Sequence, residues 1–129
     1  MPIHFISISD RAETAWSTLL SQVLAPLGQL EIVSEREALE AIASHQGRLI
    51  VIVDATVIAD ALSLVSRLAQ TYPGTPIVVA TASPTWQRAR DAYKAGAYDY
   101  VPKWWDPDQL RAVFQHLVDN FLGPDTMAV

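Results

Sequence analysis

The feature that most constrains this chain is an alternation, along its whole length, between two spacings of apolar residues. Short runs rich in isoleucine and valine, such as Ile3–Ile8 and the stretch 49–53, have the composition of β-strands. The segments between them repeat apolar residues every three to four positions, as Trp16, Leu20 and Val23 do, which is typical of one face of a helix. Because consecutive strand–helix units join by right-handed crossovers, this pattern predicts a three-layer α/β domain with a parallel sheet between helices.

Five strand–helix pairs are expected from these spacings. The predicted strands are 3–8, 30–33, 49–53, 77–80 and 98–101, and each is followed by a helix. Ser34 with Glu37 three residues later has the pattern of a capping box, and Asp106 is a similar cap for the last helix. Ser83 before Pro84 predicts a helix that begins there, with the proline in its first turn.

Composition and charge limit the classes of function that remain. The chain has 129 residues and a formal charge of −5, so it lacks the basic surface that nucleic acid or an anionic membrane would require. It has no cysteine, which excludes disulfides and zinc ribbons and is compatible with a reducing cytoplasm. We expect one domain over residues 1–123, a C-terminal tail over 124–129, no secretory signal, no membrane span and a cytoplasmic location.

Polar side chains follow several of the predicted strands at the point where each strand ends. They are Ser9 and Asp10 after the first strand, Asp54 after the third, Thr81 after the fourth and Lys103 after the fifth. Since the carboxyl ends of parallel strands meet at one edge of a sheet, we expect these groups to converge there.

Asp54 is the most informative of these residues because it directly follows an entirely apolar strand, where a buried carboxylate is costly. It is either a helix cap or solvated loop acid, or part of a site with Asp10. Two carboxylates at ~4 Å would repel by about 4 kcal/mol at an effective dielectric of 20. A divalent cation and Lys103 would offset this repulsion, and oxygen ligands favour Mg²⁺ over zinc.

The ordered set of motifs resembles the receiver domain of two-component response regulators, the CheY-like family. The matching pieces are SD after the first strand, VD after the third, TAS after the fourth and GAYDYVPK around the fifth. The resemblance runs from Ile3 to about Leu122. It implies a flavodoxin-like, doubly wound fold whose five parallel strands have the order 2-1-3-4-5.

The resemblance also implies a role for each matching residue. Asp54 would accept a phosphoryl group from a histidine kinase or phosphotransfer protein, and Asp10, Asp54 and the backbone carbonyl of Thr56 would bind Mg²⁺. Thr81 would turn toward the phosphoryl group and Lys103 would bind its oxygens. On the same basis Tyr100 would be the aromatic switch. The domain would then be a signalling switch rather than a turnover enzyme, and it would act on a downstream protein.

Three positions depart from the family's pattern. The first of the two acids that usually follow the first strand is Ser9 here, which predicts weaker Mg²⁺ binding. The loop ATVIADALS after Asp54 lacks the family's usual proline and glycine. Trp104 replaces the proline that normally follows the lysine through a cis bond. Because a cis bond before a non-proline residue costs roughly 2.5–4 kcal/mol, we expect a trans bond here.

Aromatic residues gather around the fifth strand and its flanking helices, among them Trp86, Trp104 and Trp105. Adjacent tryptophans cannot easily both be buried, so at least one of Trp104 and Trp105 is expected to face solvent or a partner. Tryptophan is enriched at binding hot spots. We therefore expect a protein interface on the face formed by strands four and five and the last helix, either with a downstream protein or between two copies of the chain.

Two other functions remain open at this stage. A pseudo-receiver would use the same fold as a phosphorylation-independent binding module; Ser9 and the altered loop favour it, and retention of Asp10, Asp54, Thr81 and Lys103 opposes it. A flavin-binding or nucleotide-binding enzyme is disfavoured because SDRAETAW has no glycine and the chain has no G-x-G-x-x-G or P-loop.

Overall fold

The fold is that of a computed structural model, which describes residues 3–9, 14–45 and 47–122. Its five strands are β1 (Ile3–Ile8), β2 (Gly28–Val33), β3 (Leu49–Asp54), β4 (Ile77–Thr81) and β5 (Asp99–Pro102). Its helices are α1 (Ala15–Leu24), α2 (Glu35–Ser44), α3 (Ala61–Thr71), α4 (Trp86–Ala95) and α5 (Pro107–Leu117), and a π-helical turn covers Val118–Leu122. All strand pairs are parallel and the sheet order is β2-β1-β3-β4-β5. The α/β fold and the strand order expected from the sequence are confirmed.

The central strand β3 explains why the sheet is covered on both faces. Every residue of β3 is buried, and its side chains alternate between two separate apolar clusters. Ile50 and Ile52 pack with residues of α1 and α5, whereas Val51 and Val53 pack with residues of α2, α3 and α4. A strand buried on both faces needs a continuous apolar run, which is what the sequence shows at this position.

Most helix starts agree with the sequence, and one does not. Ser34 and Asp106 both form the expected capping boxes, at α2 and α5. The prediction that Ser83 caps α4 is wrong, because the hydroxyl of Thr85 accepts the N–H of Arg88 and the helix begins at Trp86. Ser83 is held in the preceding loop, where its N–H donates to Thr81 Oγ1.

Several expectations concern residues outside the described ranges. These are Asp10, the segment 11–13 at the predicted start of the first helix, and the tail 124–129. The described part of α1 begins after Thr14, whose hydroxyl accepts the N–H of Ser17. Within the described residues, none of the helices is long and apolar enough to cross a membrane.

Candidate functional site

The site lies at the edge of the sheet where the parallel strands end. Asp54 is the last residue of β3, Thr81 is the last residue of β4, and Ser9 and Lys103 follow β1 and β5. Backbone hydrogen bonds continue the sheet to this edge: the N–H of Lys103 donates to the carbonyl of Thr81 at 2.8 Å, and the N–H of Ala55 donates to that of Ala80 at 2.8 Å. The topology therefore brings together four of the strand-end residues named from the sequence.

The carboxylate of Asp54 is the centre of this arrangement and is only 2% exposed. Its Oδ1 forms an ion pair with Nζ of Lys103 at 2.6 Å and accepts the N–H of Thr56 at 3.1 Å. Its Oδ2 accepts the hydroxyl of Ser9 at 3.1 Å. A buried charge with a cationic partner and two further donors offsets much of its lost hydration.

These contacts decide between the two interpretations that the sequence left open for Asp54. The helix after β3 is capped by Asp60, whose carboxylate accepts the N–H of Ser63. Asp54 is neither that cap nor a solvated loop acid; it is a buried group in a polar cluster at the strand ends. The loop after Asp54, which lacks the proline and glycine usual in the family, is held against the core by Ile58, which is 2% exposed.

Lys103 has a second contact, which sequence reasoning missed. Its Nζ lies 5.5 Å from the centroid of the Trp16 ring, and the lysine side chain is 14% exposed. The periodicity had assigned Trp16 only to the apolar stripe of α1. One sequence feature could have indicated that Trp16 lies near the strand ends: it belongs to the first turn of the helix that follows the Ser9–Asp10 loop.

Thr81 and Tyr100 line a cavity of about 450 Å³, together with residues of α3, α4 and the loop after β3. Thr81 is buried, and its hydroxyl accepts the N–H of Ser83 at 3.1 Å. The Tyr100 hydroxyl is buried, and among the residues that the structure describes it has no hydrogen-bond partner. Both side chains therefore border the same cavity.

The structure describes two of the three metal ligands that were expected from the sequence. Asp54 and Thr56 are in the site, and Asp10 lies outside the described residues. Within the described ranges no group of three or more His, Cys, Asp or Glu side chains is arranged to hold a metal ion. The carboxylate of Asp54 and the hydroxyl of Ser9 offer hard oxygen donors, which fit Mg²⁺ and do not fit soft metals.

The aromatic residues around β5 divide between core and surface. Trp104 is 67% exposed and Trp86 is 75% exposed, whereas Trp105 is partly buried against the cluster of α1 and α5. The expectation that Trp104 and Trp105 are not both buried is confirmed. No cis peptide bond occurs in the described chain, so the bond before Trp104 is trans, as expected.

The exposed surface of α4 also carries Tyr93, whose hydroxyl donates to Asp99 Oδ1 at 3.2 Å. Partial burial raises the pKa of Tyr93, and the neighbouring carboxylate of Asp99 raises that pKa further. The pair links α4 to β5, so it fixes one helix of this surface against the strand that carries Tyr100.

Two of the histidines lie close together in the fold. His45 lies 3.1 Å from a carboxylate oxygen of Glu31, and its ring centroid is 4.6 Å from that of His4. The two rings come from the end of α2 and from β1, so their proximity is a product of the fold rather than of sequence spacing.

Comparisons with known proteins agree on one family. The sequence model of the response regulator receiver domain family matches residues 13–115 of this chain. The DNA-binding transcriptional regulator NtrC of Escherichia coli K12 is 28% identical over 116 residues, which are 88% of this chain and 24% of that regulator. The chain thus spans about a quarter of the length of this relative.

Solved structures show the same fold. A response regulator from Thermotoga maritima superposes with a TM-score of 0.81 at 20% identity, covering 93% of this chain and 100% of that one. The Mn²⁺-bound form of the response regulator Rcp1 has a TM-score of 0.68 at 21% identity, covering 94% and 95% of the two chains.

Proposed function

Because this chain belongs to the response regulator receiver domain family, we propose that it receives a phosphoryl group on Asp54 and passes the signal on through a protein-binding surface. The observation that carries the proposal is the buried cluster in which Lys103 and Ser9 contact the two carboxylate oxygens of Asp54. Receiver domains act in two-component phosphorelays, so the donor would be a phosphohistidine on a kinase or phosphotransfer protein.

In this transfer Asp54 is the one residue that forms a covalent bond, and the other residues position groups and neutralise charge. A carboxylate oxygen of Asp54 would attack phosphorus, the bond between phosphorus and the donor's imidazole nitrogen would break, and that nitrogen would leave with the electron pair. The product is an acyl phosphate on Asp54. Lys103 would neutralise charge on the phosphoryl oxygens, and the strand ends would hold the groups in place, which is how proteins mainly catalyse this reaction.

Mg²⁺ fits the proposed site, with Asp54, the carbonyl of Thr56 and Asp10 as the residues that would hold it. When bound, such an ion neutralises negative charge on transferring phosphoryl oxygens. Ser9 stands where the family usually has another acid, so one anionic ligand is missing and we expect weaker binding. The serine hydroxyl instead donates to Asp54.

The new charge on Asp54 would act on neighbouring polar groups. A phosphoryl group adds about two negative charges and strong acceptor oxygens. Thr81 has a rotatable hydroxyl beside the cavity, and Tyr100 lines the same cavity from β5. A turn of Thr81 toward the phosphoryl group, with a matching movement of Tyr100, would carry the signal to β5 and so to the face formed by β4, β5 and α5.

The proposed receiver is a switch rather than a turnover enzyme, and its setting is the cytoplasm. A chain without cysteine suits a reducing compartment. Its effector would be another protein or another domain.

The direct test is to identify the residue that becomes phosphorylated. We expect acetyl phosphate with Mg²⁺ to modify the wild type once, and borohydride reduction followed by peptide mapping to find homoserine at position 54. Modification at any other acid would contradict the assignment. No modification at millimolar Mg²⁺, with the fold intact, would favour the pseudo-receiver.

The downstream surface is proposed to include Trp104, on the face formed by β4, β5 and α5. Trp104 is 67% exposed, and Trp86 on α4 is 75% exposed. Tryptophan is one of the residues enriched at binding hot spots. We propose that a second copy of the chain or an effector protein packs on this face.

Replacing Trp104 by alanine is expected to weaken association on this face by about 30-fold, since a hot-spot aromatic contributes about 2 kcal/mol or more. Sedimentation equilibrium with and without beryllofluoride measures self-association. The control is Leu39→Ala, which removes a 37% exposed apolar side chain from α2, on the opposite side of the sheet from α5, and is expected to leave association unchanged. A Trp104→Ala protein that associates as strongly as the wild type would contradict the assignment, and a wild type that stays monomeric would exclude the homodimer.

A further inference from the structure

Trp16 connects the apolar core with the polar edge of the sheet. It lies in the first turn of α1, is 7% exposed, and packs in the cluster formed with Leu20 and residues of α5. The same ring also faces the Lys103 ammonium, whose Nζ is 5.5 Å from the ring centroid. A cation within about 6 Å of an indole face is attracted by the negative charge of the π-system.

Lys103 is therefore held from two sides. Asp54 Oδ1 contacts its Nζ at 2.6 Å, and the Trp16 ring provides the second contact. The lysine side chain is 14% exposed, so little water competes with either interaction. A lysine is a flexible chain ending in a point charge, and its position is defined only as well as its surroundings define it.

We propose that Trp16 is a positioning residue for phosphoryl transfer: its ring keeps the Lys103 ammonium at the strand-end edge while Asp54 changes from carboxylate to acyl phosphate. This inference rests on the proposed function of Asp54. In the free protein the carboxylate and the ring share the ammonium. After transfer the attacking carboxylate oxygen is bonded to phosphorus and no longer carries its charge, and the ring is the contact that remains unchanged while the ammonium binds the new phosphoryl oxygens.

The fold makes Trp16 suitable for this task because the residue itself is fixed. Thr14 and Ser17 form a capping box at the start of α1, which holds the first turn of the helix. The remaining part of the indole is packed among buried apolar side chains. A ring with this support can define the position of a mobile ammonium without touching the phosphoryl group.

The first test reads the contact directly and does not depend on activity. The chain has two lysines, Lys94 and Lys103, so selective ¹³Cε-lysine labelling gives two signals. Ring current from Trp16 should move the ε-protons of Lys103 upfield of their position in a variant that lacks this ring. We expect Trp16→Leu to abolish this shift and Trp16→Phe to retain part of it, with Lys94 unchanged in both. A Lys103 signal at the same position in the wild type and in Trp16→Leu would overturn the proposal.

The second test measures transfer. We expect Trp16→Leu to lower the rate constant for phosphorylation by acetyl phosphate by about 2- to 30-fold, and Trp16→Phe to restore most of the loss. The control is Phe114→Leu, which removes a buried ring from the same cluster where it pairs edge-to-face with Phe5. Equal losses in Trp16→Leu and Phe114→Leu would overturn the positioning role.

The two tests separate this inference from the function on which it rests. A wild type that shows the Lys103 shift but takes no phosphoryl group would refute the proposed function, and with it the role of Trp16 in transfer. A wild type that is phosphorylated, with a Trp16→Leu variant that reacts equally fast, would refute the role of Trp16 alone.

Discussion

Replacing Asp54 by asparagine is expected to abolish phosphorylation and the response to beryllofluoride, while the fold stays intact. Asparagine has nearly the same shape, and its carbonyl oxygen can accept the N–H of Thr56 as Asp54 Oδ1 does. Its amide N–H can donate to the hydroxyl of Ser9, which then accepts where it donated to Asp54 Oδ2. It cannot act as a nucleophile at phosphorus, and it lacks the charge that attracts a metal ion. Amide NMR measures the outcome: in the wild type, beryllofluoride with Mg²⁺ should shift the signals of Asp54, Thr81 and Lys103 in a saturable way.

Asp60→Asn is the matched control for this experiment. Asp60 also lies in the segment after β3, but its carboxylate caps α3, and asparagine caps helices about as well as aspartate. We expect Asp60→Asn to respond like the wild type. A response that survives in Asp54→Asn would place the phosphoryl site elsewhere. If the wild type itself does not respond, the site does not function and the pseudo-receiver becomes the better description.

The sequence predicted the position of Asp54 well because the evidence was local. A continuous apolar run is required of a strand buried on both faces, and a polar residue directly after such a run must lie at the sheet edge. The order of the strands then determined which other strand ends are neighbours. That order came from the family resemblance and not from the apolar pattern, which is the same for several sheet orders.

The contacts between side chains could not be predicted in the same way. The spacing of Trp16 showed that it lies on an apolar face, but not that this face meets Lys103 from a strand far along the chain. The proximity of His4 and His45 has the same origin. The helix cap at Thr85 was missed for a different reason: two hydroxyl residues flank Pro84, and only the loop geometry decides which of them caps α4.

Ser9 is the departure from the family with the clearest physical consequence. Its hydroxyl donates to Asp54 Oδ2 at 3.1 Å, and Ser9 is 5% exposed. A second carboxylate at this position would lie close to the first in a region with little water. The serine thus provides a hydrogen bond where the usual acid would provide repulsion, and this stabilises the metal-free protein at the cost of a charged ligand.

Replacing Ser9 by aspartate is therefore expected to lower the free energy of unfolding by about 2–4 kcal/mol in EDTA. Two like charges at ~4 Å repel by about 4 kcal/mol at an effective dielectric of 20, and Lys103 offsets a part of this. Mg²⁺ should reverse the loss, because a ligand that binds only the folded state stabilises it by about 2.7 kcal/mol at one hundred times its Kd. Urea denaturation with and without Mg²⁺ measures both effects.

Ser9→Asn separates charge from size in this experiment. Asparagine has nearly the volume of aspartate but no charge, so we expect a small loss of stability and no gain from Mg²⁺ beyond that of the wild type. Equal stability of Ser9→Asp and Ser9→Asn in EDTA would show that the two carboxylates do not interact. Equal Mg²⁺ affinity of Ser9→Asp and the wild type would show that residue 9 is not near the metal, and the weak binding proposed here would need another cause.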